Sequence, residues 1–502
     1  MNHGNVRAQD ADVGPRRLYD AERRIQSARL YGNVVSYQYY YIDILVGTPL
    51  PQRASVIADT GSTICAFTCT GCQSCGHHLD ANFDFSLSTS AQWMPCDKTC
   101  STCRHNKCAY RQSYTEGSSI EGIRFTDYVS LGDEFQQNPA VKVHMGCHTR
   151  ETRLFVTQKA NGIMGLAPSS SSPTILQEIF KDRAHVNAAI FSMCLAPEGG
   201  LLTVGGYNAS LAAHVDWIPM RPQQFYGITL SKLAVEGGIE LGTGFGRTFV
   251  DSGTTYTYLP NSLYRQLRDS VKAVCEQKCG QPAGNTCWKV SGSLEAFPRI
   301  VFTFSKNTVM FWPASSYLYR KTGDLHCLGF ESNGAVPETV LGATFMINQM
   351  VVFDTQSSRL GLAHSQCPSF TQRPKPPQSV RSGNGLNTPH QKGKPAVAET
   401  LFAAFSLLFV MLGLCLVARN LLRAYGLSRR DMEKSGSPRR VRARKLGRSS
   451  PVDEEMQSLA ADDTSDDNVT RVPLEAWLSA TGAESDSPTA GSGPCLSEQE
   501  GR

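Results

Sequence analysis

Two acids in this chain stand in matching surroundings. Val56-Ile57-Ala58-Asp59-Thr60-Gly61-Ser62-Thr63 and Thr248-Phe249-Val250-Asp251-Ser252-Gly253-Thr254-Thr255 each run from apolar residues into an Asp, a small hydroxyl residue, a Gly and a second hydroxyl residue. A carboxylate at the end of a buried strand is costly unless it is hydrogen-bonded or partnered. The Gly permits a tight loop beneath it, and the hydroxyls of Ser62 and Thr254 can donate to it. Two carboxylates about 3 Å apart cannot both ionise, so they share one proton. The ionised partner can act as base on a water held between them, while the protonated one polarises a peptide carbonyl. Such a pair hydrolyses an amide without a covalent intermediate, calls for no metal or other cofactor, and is expected to work best at acidic pH.

Each acid loop is followed by an apolar, Gly-flanked strand. After Asp59 it is Asn161-Gly162-Ile163-Met164-Gly165-Leu166-Ala167, and after Asp251 it is Val340-Leu341-Gly342-Ala343-Thr344. This order is an internal repeat, and repeats related by a pseudo-two-fold would bring both acids to one interface, where ligand clefts form. Short β-branched and aromatic runs with turn residues between them, such as Tyr39-Tyr40-Tyr41-Ile42-Asp43-Ile44-Leu45-Val46 before Gly47-Thr48-Pro49, predict a mostly β region. Residues 110–119 read as a hairpin turning near Glu116-Gly117. Helices are expected over residues 174–180 and from 261 to about 275.

The 502 residues have room for two or three domains and a large core. The net charge of +5 is modest, and most of the excess lies in residues 419–448, so it says little about the main domain's partners; no nucleic-acid partner is expected. Fifteen of the seventeen cysteines fall between Cys65 and Cys367. The series Cys69, Cys72, Cys75, then Cys96, Cys100, Cys103 and Cys108, fits either zinc ligation or a disulfide-stapled loop. The lumenal character of the rest of the chain favours disulfides. Fifteen is odd, so at least one of these cysteines is expected to be free or paired outside the domain.

The ends differ in composition from the middle. Residues 1–33 are charged and read as an N-terminal arm or pro-segment. Residues 1–29 contain no apolar core of a signal peptide, so either the start of the chain is missing or a membrane span directs targeting, and the first is the expectation. Residues 34–190 are expected to form an N-terminal β lobe carrying a cysteine-rich insertion at 65–108, and residues 191–367 a C-terminal β lobe. Residues 368–398 have the Pro, Gly and Ser content of a linker. Residues 401–418 are eighteen uncharged, mostly apolar residues, which predicts a transmembrane helix over 399–420. Arg419, Arg423, Arg429 and Arg430 follow, with a basic cluster at 439–448, and the positive-inside rule then puts the tail at 421–502 in the cytosol. The expectation is a monomeric, single-pass type I protein of the endoplasmic reticulum, Golgi or cell surface. Asn208-Ala209-Ser210 is a candidate glycosylation site if lumenal, Asn468 would lie on the wrong side, and Cys415 sits within the span.

Residues 34–367 resemble the pepsin-family (A1) aspartic endopeptidases. The resemblance rests on Asp59-Thr60-Gly61-Ser62, the flap-like Tyr114-Thr115-Glu116-Gly117-Ser118, Asp251-Ser252-Gly253-Thr254, and Val340-Leu341-Gly342 leading to Val352-Phe353-Asp354. It implies a bilobal β fold with a cleft between the lobes, Asp59 and Asp251 as the catalytic pair, polypeptide substrates, and Tyr114, Glu116 and Gly117 on a flap over the substrate. The stretch from Cys287 through Phe297-Pro298-Arg299-Ile300-Val301-Phe302 to Cys327 resembles the family's C-terminal lobe and implies a Cys287–Cys327 disulfide. The family often has a Trp seven residues after the first Asp, packed against the flap Tyr; here that position is Ala66, with Phe67 beside it. The cysteine-rich insertion resembles that of nepenthesin-type enzymes and, with a C-terminal span added, plasmepsin V-like enzymes. In those last an acid also occupies the place of Glu116, where it could pair bidentately with a substrate Arg. The alternatives are a catalytically silent pepsin-like binding protein and a secretase-like sheddase.

Overall fold

The first acid lies at the end of the third strand of a large sheet. In chain order these strands are β1 (Gln26–Asn33), β2 (Tyr39–Val46), β3 (Gln52–Asp59), β4 (Cys65–Gln73), β5 (Gln92–Trp93), β6 (Thr102–Arg104), β7 (Lys107–Ser113), β8 (Ser119–Leu131), β9 (Val141–Glu151), β10 (Gly162–Gly165), β11 (Ile190–Leu195) and β12 (Gly200–Val204). The computed structural model describes residues 22–375 except 99, 137, 171–172, 213, 222–224 and 277. From one edge the sheet runs Asp216–Pro219, Arg359–His364, Gln349–Asp354, β11, β12, β1, β2, β3, β10, β4, β9, β8, β7, β6, with β5 paired to β8. Strands from both halves of the chain therefore share one hydrogen-bonded ladder. β2 and β3 are buried on both faces, which is why they read as unbroken apolar runs. β8 instead alternates buried and half-exposed residues, because only one of its faces meets the core.

The second acid follows the strand Thr248–Val250, in a five-stranded sheet that also holds Thr339–Leu341. The helix Asn261–Cys275 packs Leu263, Tyr264, Leu267, Val271 and Cys275 inward at helical spacing. The helix Ile175–Lys181 starts at a capping box: the Gln177 amide N–H donates to the Thr174 hydroxyl at 3.3 Å, and the Thr174 N–H donates to the Gln177 side chain at 2.8 Å.

Two boundaries read from composition are corrected. Residues 26–33, read as part of a charged arm, form the buried strand β1, paired antiparallel with both β12 and β2. Ala28, Leu30 and Tyr31 go into the core, and the Arg content of the stretch had masked them. Residues 368–375, read as the start of a linker, pack on the N-terminal half. Arg373 donates to Asp43 at 2.7 Å and to Asp80 at 2.7 Å, and the Pro374 carbonyl accepts from Arg53 at 2.8 Å. Burial pushes the Asp43 carboxyl up to about 6 despite the Arg373 guanidinium beside it.

No helix among the described residues is long and apolar enough to cross a membrane. The stretch at 399–420 lies outside the described residues, as do Cys415, Asn468, the remainder of the linker and the tail.

Candidate active site

Each acid is held by the same local device. β10 lies parallel to β3, with Gly165 beside Asp59, and Thr339–Leu341 lies parallel to Thr248–Val250, the strand that ends just before Asp251. The glycines that end these partner strands are required by close approach. A Cβ at Gly165 would lie 2.6 Å from the Ser62 carbonyl oxygen, and one at Gly342 would lie 2.0 Å from that of Tyr256. Asp59 Oδ1 accepts from the Gly61 N–H at 2.8 Å, and Oδ2 accepts from the Ser62 hydroxyl. Asp251 Oδ1 accepts from the Gly253 N–H at 3.0 Å, and Oδ2 from the Thr254 hydroxyl at 2.5 Å.

The two loops then lock to each other. The Thr60 hydroxyl donates to the Val250 carbonyl at 3.2 Å and accepts from the Ser252 N–H at 2.9 Å. Reciprocally, the Ser252 hydroxyl donates to the Ala58 carbonyl at 2.7 Å and accepts from the Thr60 N–H at 3.0 Å. Thr60 and Ser252 were legible only as loop residues, and no local signal in the sequence assigns them this work. The approach is close enough that a Cβ at Gly253 would lie 2.2 Å from Asp59 Oδ1.

Both carboxyl groups are buried, and burial pushes both above the ordinary carboxylate range. Asp251 is pushed further, since the Asp59 charge adds to the effect of burial. Two buried carboxyls pushed up together, one by the charge of the other, favour sharing a single proton.

Above this pair stands the β7–β8 hairpin. Its turn is closed by the Tyr114 N–H donating to the Ser118 carbonyl and the Gly117 N–H donating to the Tyr114 carbonyl, both at 2.9 Å. Gly117 has φ +86°, and a Cβ there would lie 2.6 Å from the Arg153 guanidinium, so the position favours Gly. Burial pushes the Tyr114 hydroxyl far up, and the Asp59 charge acts in the same direction. Glu116 is half-buried rather than free in solvent, and it accepts from the Ser118 hydroxyl. Burial raises its carboxyl above the usual range, with the Asp59 charge adding to the rise.

The ring that props the flap is one that sequence reading missed. Ala66 and Phe67 are neighbours on β4 and point to opposite faces. Phe67 packs edge-on to Phe83 and Phe125 in the main core, away from the flap. Ala66 belongs instead to a second buried cluster with Tyr110 and Phe155, and the Phe155 ring lies 5.0 Å from that of Tyr114 at 41°. Phe155 comes from the short helix Leu154–Thr157, far in sequence from both Ala66 and Tyr114, so spacing could not announce it.

Seven disulfides join the described cysteines. In and near the insertion they are Cys69–Cys147, Cys72–Cys75, Cys96–Cys103 and Cys100–Cys108, so these sulfurs are bonded to one another rather than open to zinc. The others are Cys194–Cys367, Cys275–Cys279 and Cys287–Cys327. Cys65 is the one free thiol among the described residues, and its burial pushes it up to about 12. Asn208 caps a single helical turn, its side-chain oxygen accepting from the Ser210 N–H at 3.1 Å and hydroxyl at 2.7 Å.

A mostly β, pepsin-like fold with paired Asp loops defines the class, and comparison with known sequences agrees. The family described as eukaryotic aspartyl protease matches residues 39–365, and the chain belongs to it. Among curated relatives, aspartic protease 5 of Toxoplasma gondii is 36% identical over 443 residues, a match spanning 76% of this chain and 41% of that protein. Plasmepsin V of Plasmodium falciparum is 29% identical over 439 residues, covering 68% of this chain and 73% of the relative. Aspartic proteinase 36 of Arabidopsis thaliana is 28% identical over 403 residues, covering 73% and 79%.

Proposed function

We propose that this protein is an aspartic endopeptidase that cuts polypeptides of the secretory pathway, with Asp59 and Asp251 as its catalytic pair. The observation that carries the reading is the buried carboxyl pair, pushed up by burial and braced by Ser62 and Thr254. A water between the acids gives one proton to the ionised carboxylate and attacks the peptide carbonyl carbon. The protonated partner donates to the carbonyl oxygen, forming a neutral tetrahedral diol. The proton now on the base passes to the leaving nitrogen, the C–N bond breaks, and one of the diol's two hydroxyl protons returns to the other acid while the second stays on the product carboxylic acid. Activity should fall as pH rises through the loss of the shared proton. Tyr114, held by Phe155, would close over the substrate from the flap side.

Glu116 supports a finer reading, a preference for Arg near the scissile bond. A half-buried carboxylate raised by burial and by Asp59 is relieved by a cation, and guanidinium can engage both its oxygens. A lumenal, single-span type I topology with glycan at Asn208 and a removable N-terminal pro-segment completes the proposal. Profiling a diverse peptide library at acidic pH, with Asp59→Asn as control, tests the activity; a pure protein that cuts nothing sinks it and favours a binding protein. Paired Arg and Ala peptides on wild type and Glu116→Ala test the preference, which is lost if both proteins cut both peptides alike.

A further inference from the structure

The cysteine-rich insertion carries a cationic cavity that the catalytic reading leaves unused. Its volume is about 440 Å³, and Arg104, His105, Lys107 and Arg150 line it with Glu121 and Thr149. The register explains how the cations come together. Arg104 on β6 pairs directly with Lys107 on β7 across a two-residue turn, His105-Asn106. Both turn residues have positive φ, +48° and +59°, a conformation that fits a tight hairpin and is unfavourable for a residue with a Cβ. The disulfides Cys96–Cys103 and Cys100–Cys108 hold that hairpin. Arg150 on β9 joins from the far side of β8, opposite Glu121.

Like charges set directly across a strand pair are destabilising unless something neutralises them. Here Glu121 is the sole carboxylate in the lining, and it forms an ion pair with Arg111 at 3.4 Å. Neither Arg104 nor Arg150 has a carboxylate within ion-pair distance among the described residues. Lys107 lies 4.3 Å from the Trp93 ring, a contact that positions the ammonium without neutralising it. Three cations are thus gathered in a concave site with one shared anion.

We propose that this cavity is an exosite for an acidic segment of the polypeptide substrate. It rests on the protease reading, because what favours a peptide is continuity with the flap. The cavity is built on β7 and β8, the strands that carry Tyr114 and Glu116, and Tyr110 of β7 packs into the core beside Phe155, the flap prop. The cavity lining has Ile123 as its single large apolar side chain, and a recess of this kind suits carboxylate side chains better than a flat lipid surface.

The test separates binding from cutting. Full-length protein carrying Asp59→Asn is titrated with a labelled Asp/Glu-rich peptide and its Asn/Gln counterpart. The acidic peptide should bind on the order of tenfold more tightly, three exposed charge contacts each contributing a factor of a few, and the advantage should shrink at high salt. Arg104→Glu with Arg150→Glu should abolish it. In the active protein, adding the acidic tract to a cleavable neutral peptide should lower KM and leave kcat unchanged, while the neutral peptide is cut equally by wild type and the double variant. Equal binding of the two labelled peptides, or a preference that survives charge reversal, overturns the exosite. So does a variant that loses binding to phosphatidylserine vesicles but not to the acidic peptide, which would make the patch a membrane contact. If the neutral peptide is never cut, the protease reading fails, and the binding arm still judges the exosite.

Discussion

The two acid loops hold their carboxylates by equivalent hydrogen bonds, yet their neighbourhoods share little. Between Asp59 and β10 the chain makes the stapled insertion and the flap hairpin, so the N-terminal acid sits below Tyr114 and Glu116. Between Asp251 and Thr339–Leu341 it makes the helix Asn261–Cys275 and small sheets, closed by the Cys287–Cys327 disulfide. The lesson is a division of labour. The duplicated core builds a matched pair of braced carboxyls, and the unduplicated additions supply the flap proposed to close over the substrate.

The largest expected effect tests the symmetry itself. Asp59→Asn and Asp251→Asn should each lower kcat by on the order of 10³-fold or more, since either change removes the general acid–base pair. If one retained activity, the two halves would not be equivalent in the reaction. The sign on stability is opposite. A carboxyl raised in the folded state binds its proton more tightly there than in the unfolded chain, so its contribution is fully present below the ordinary Asp pKa and lost as pH rises. Asp251→Asn should therefore raise the melting temperature at neutral pH while leaving it little changed in acid.

Next comes the element that only one half possesses. Phe155→Ala opens a cavity beside Tyr114 and should cost about 3–5 kcal/mol in chemical denaturation. It should also raise KM through a loosened flap. An unchanged KM at measurable stability would show that Tyr114 does not depend on the Phe155 ring.

The locking residues offer a finer comparison. Ser252→Ala leaves the Thr60 N–H and Ala58 carbonyl without their partner, and Thr60→Val does the same to the Ser252 N–H and Val250 carbonyl. Each should cost about 1–3 kcal/mol, and the double variant should depart from the sum because the four bonds belong to one network across the same two loops. Unequal single costs would show which half leans on the other.

The smallest effect concerns a buried cluster found in the flap-bearing half. His148 Nδ1 lies 2.8 Å from Glu151, whose other oxygen lies 3.2 Å from His78. Burial lowers the His148 pKa, with Glu151 opposing. The unfolded chain therefore takes up a proton first as pH falls below the ordinary His value, and stability is full above it and declines below. His148→Gln should flatten that decline in melting temperature between neutral and mildly acidic pH. A decline of unchanged slope would assign it to other groups.

The catalytic candidates were legible because each is a local device: an acid, a Gly and a hydroxyl within four residues, doubled along the chain. Strand positions were legible too, since β-branched and aromatic runs declare themselves by pattern. Tertiary structure alone decided what depends on contacts between distant residues. The Thr60–Ser252 lock joins positions 192 residues apart, and a hydroxyl's partner at that distance leaves no trace in spacing. The prop Phe155, the buried strand β1, the Arg373 tie to Asp43 and Asp80, and the pairing of Arg104 with Lys107 are of the same kind. Sequence by itself determined which residues are the candidates for the chemistry, because hydrogen bonding around one carboxylate is local. The fold decided what supports the flap and gathers the cations, because packing and cross-strand register are properties of the assembled sheet.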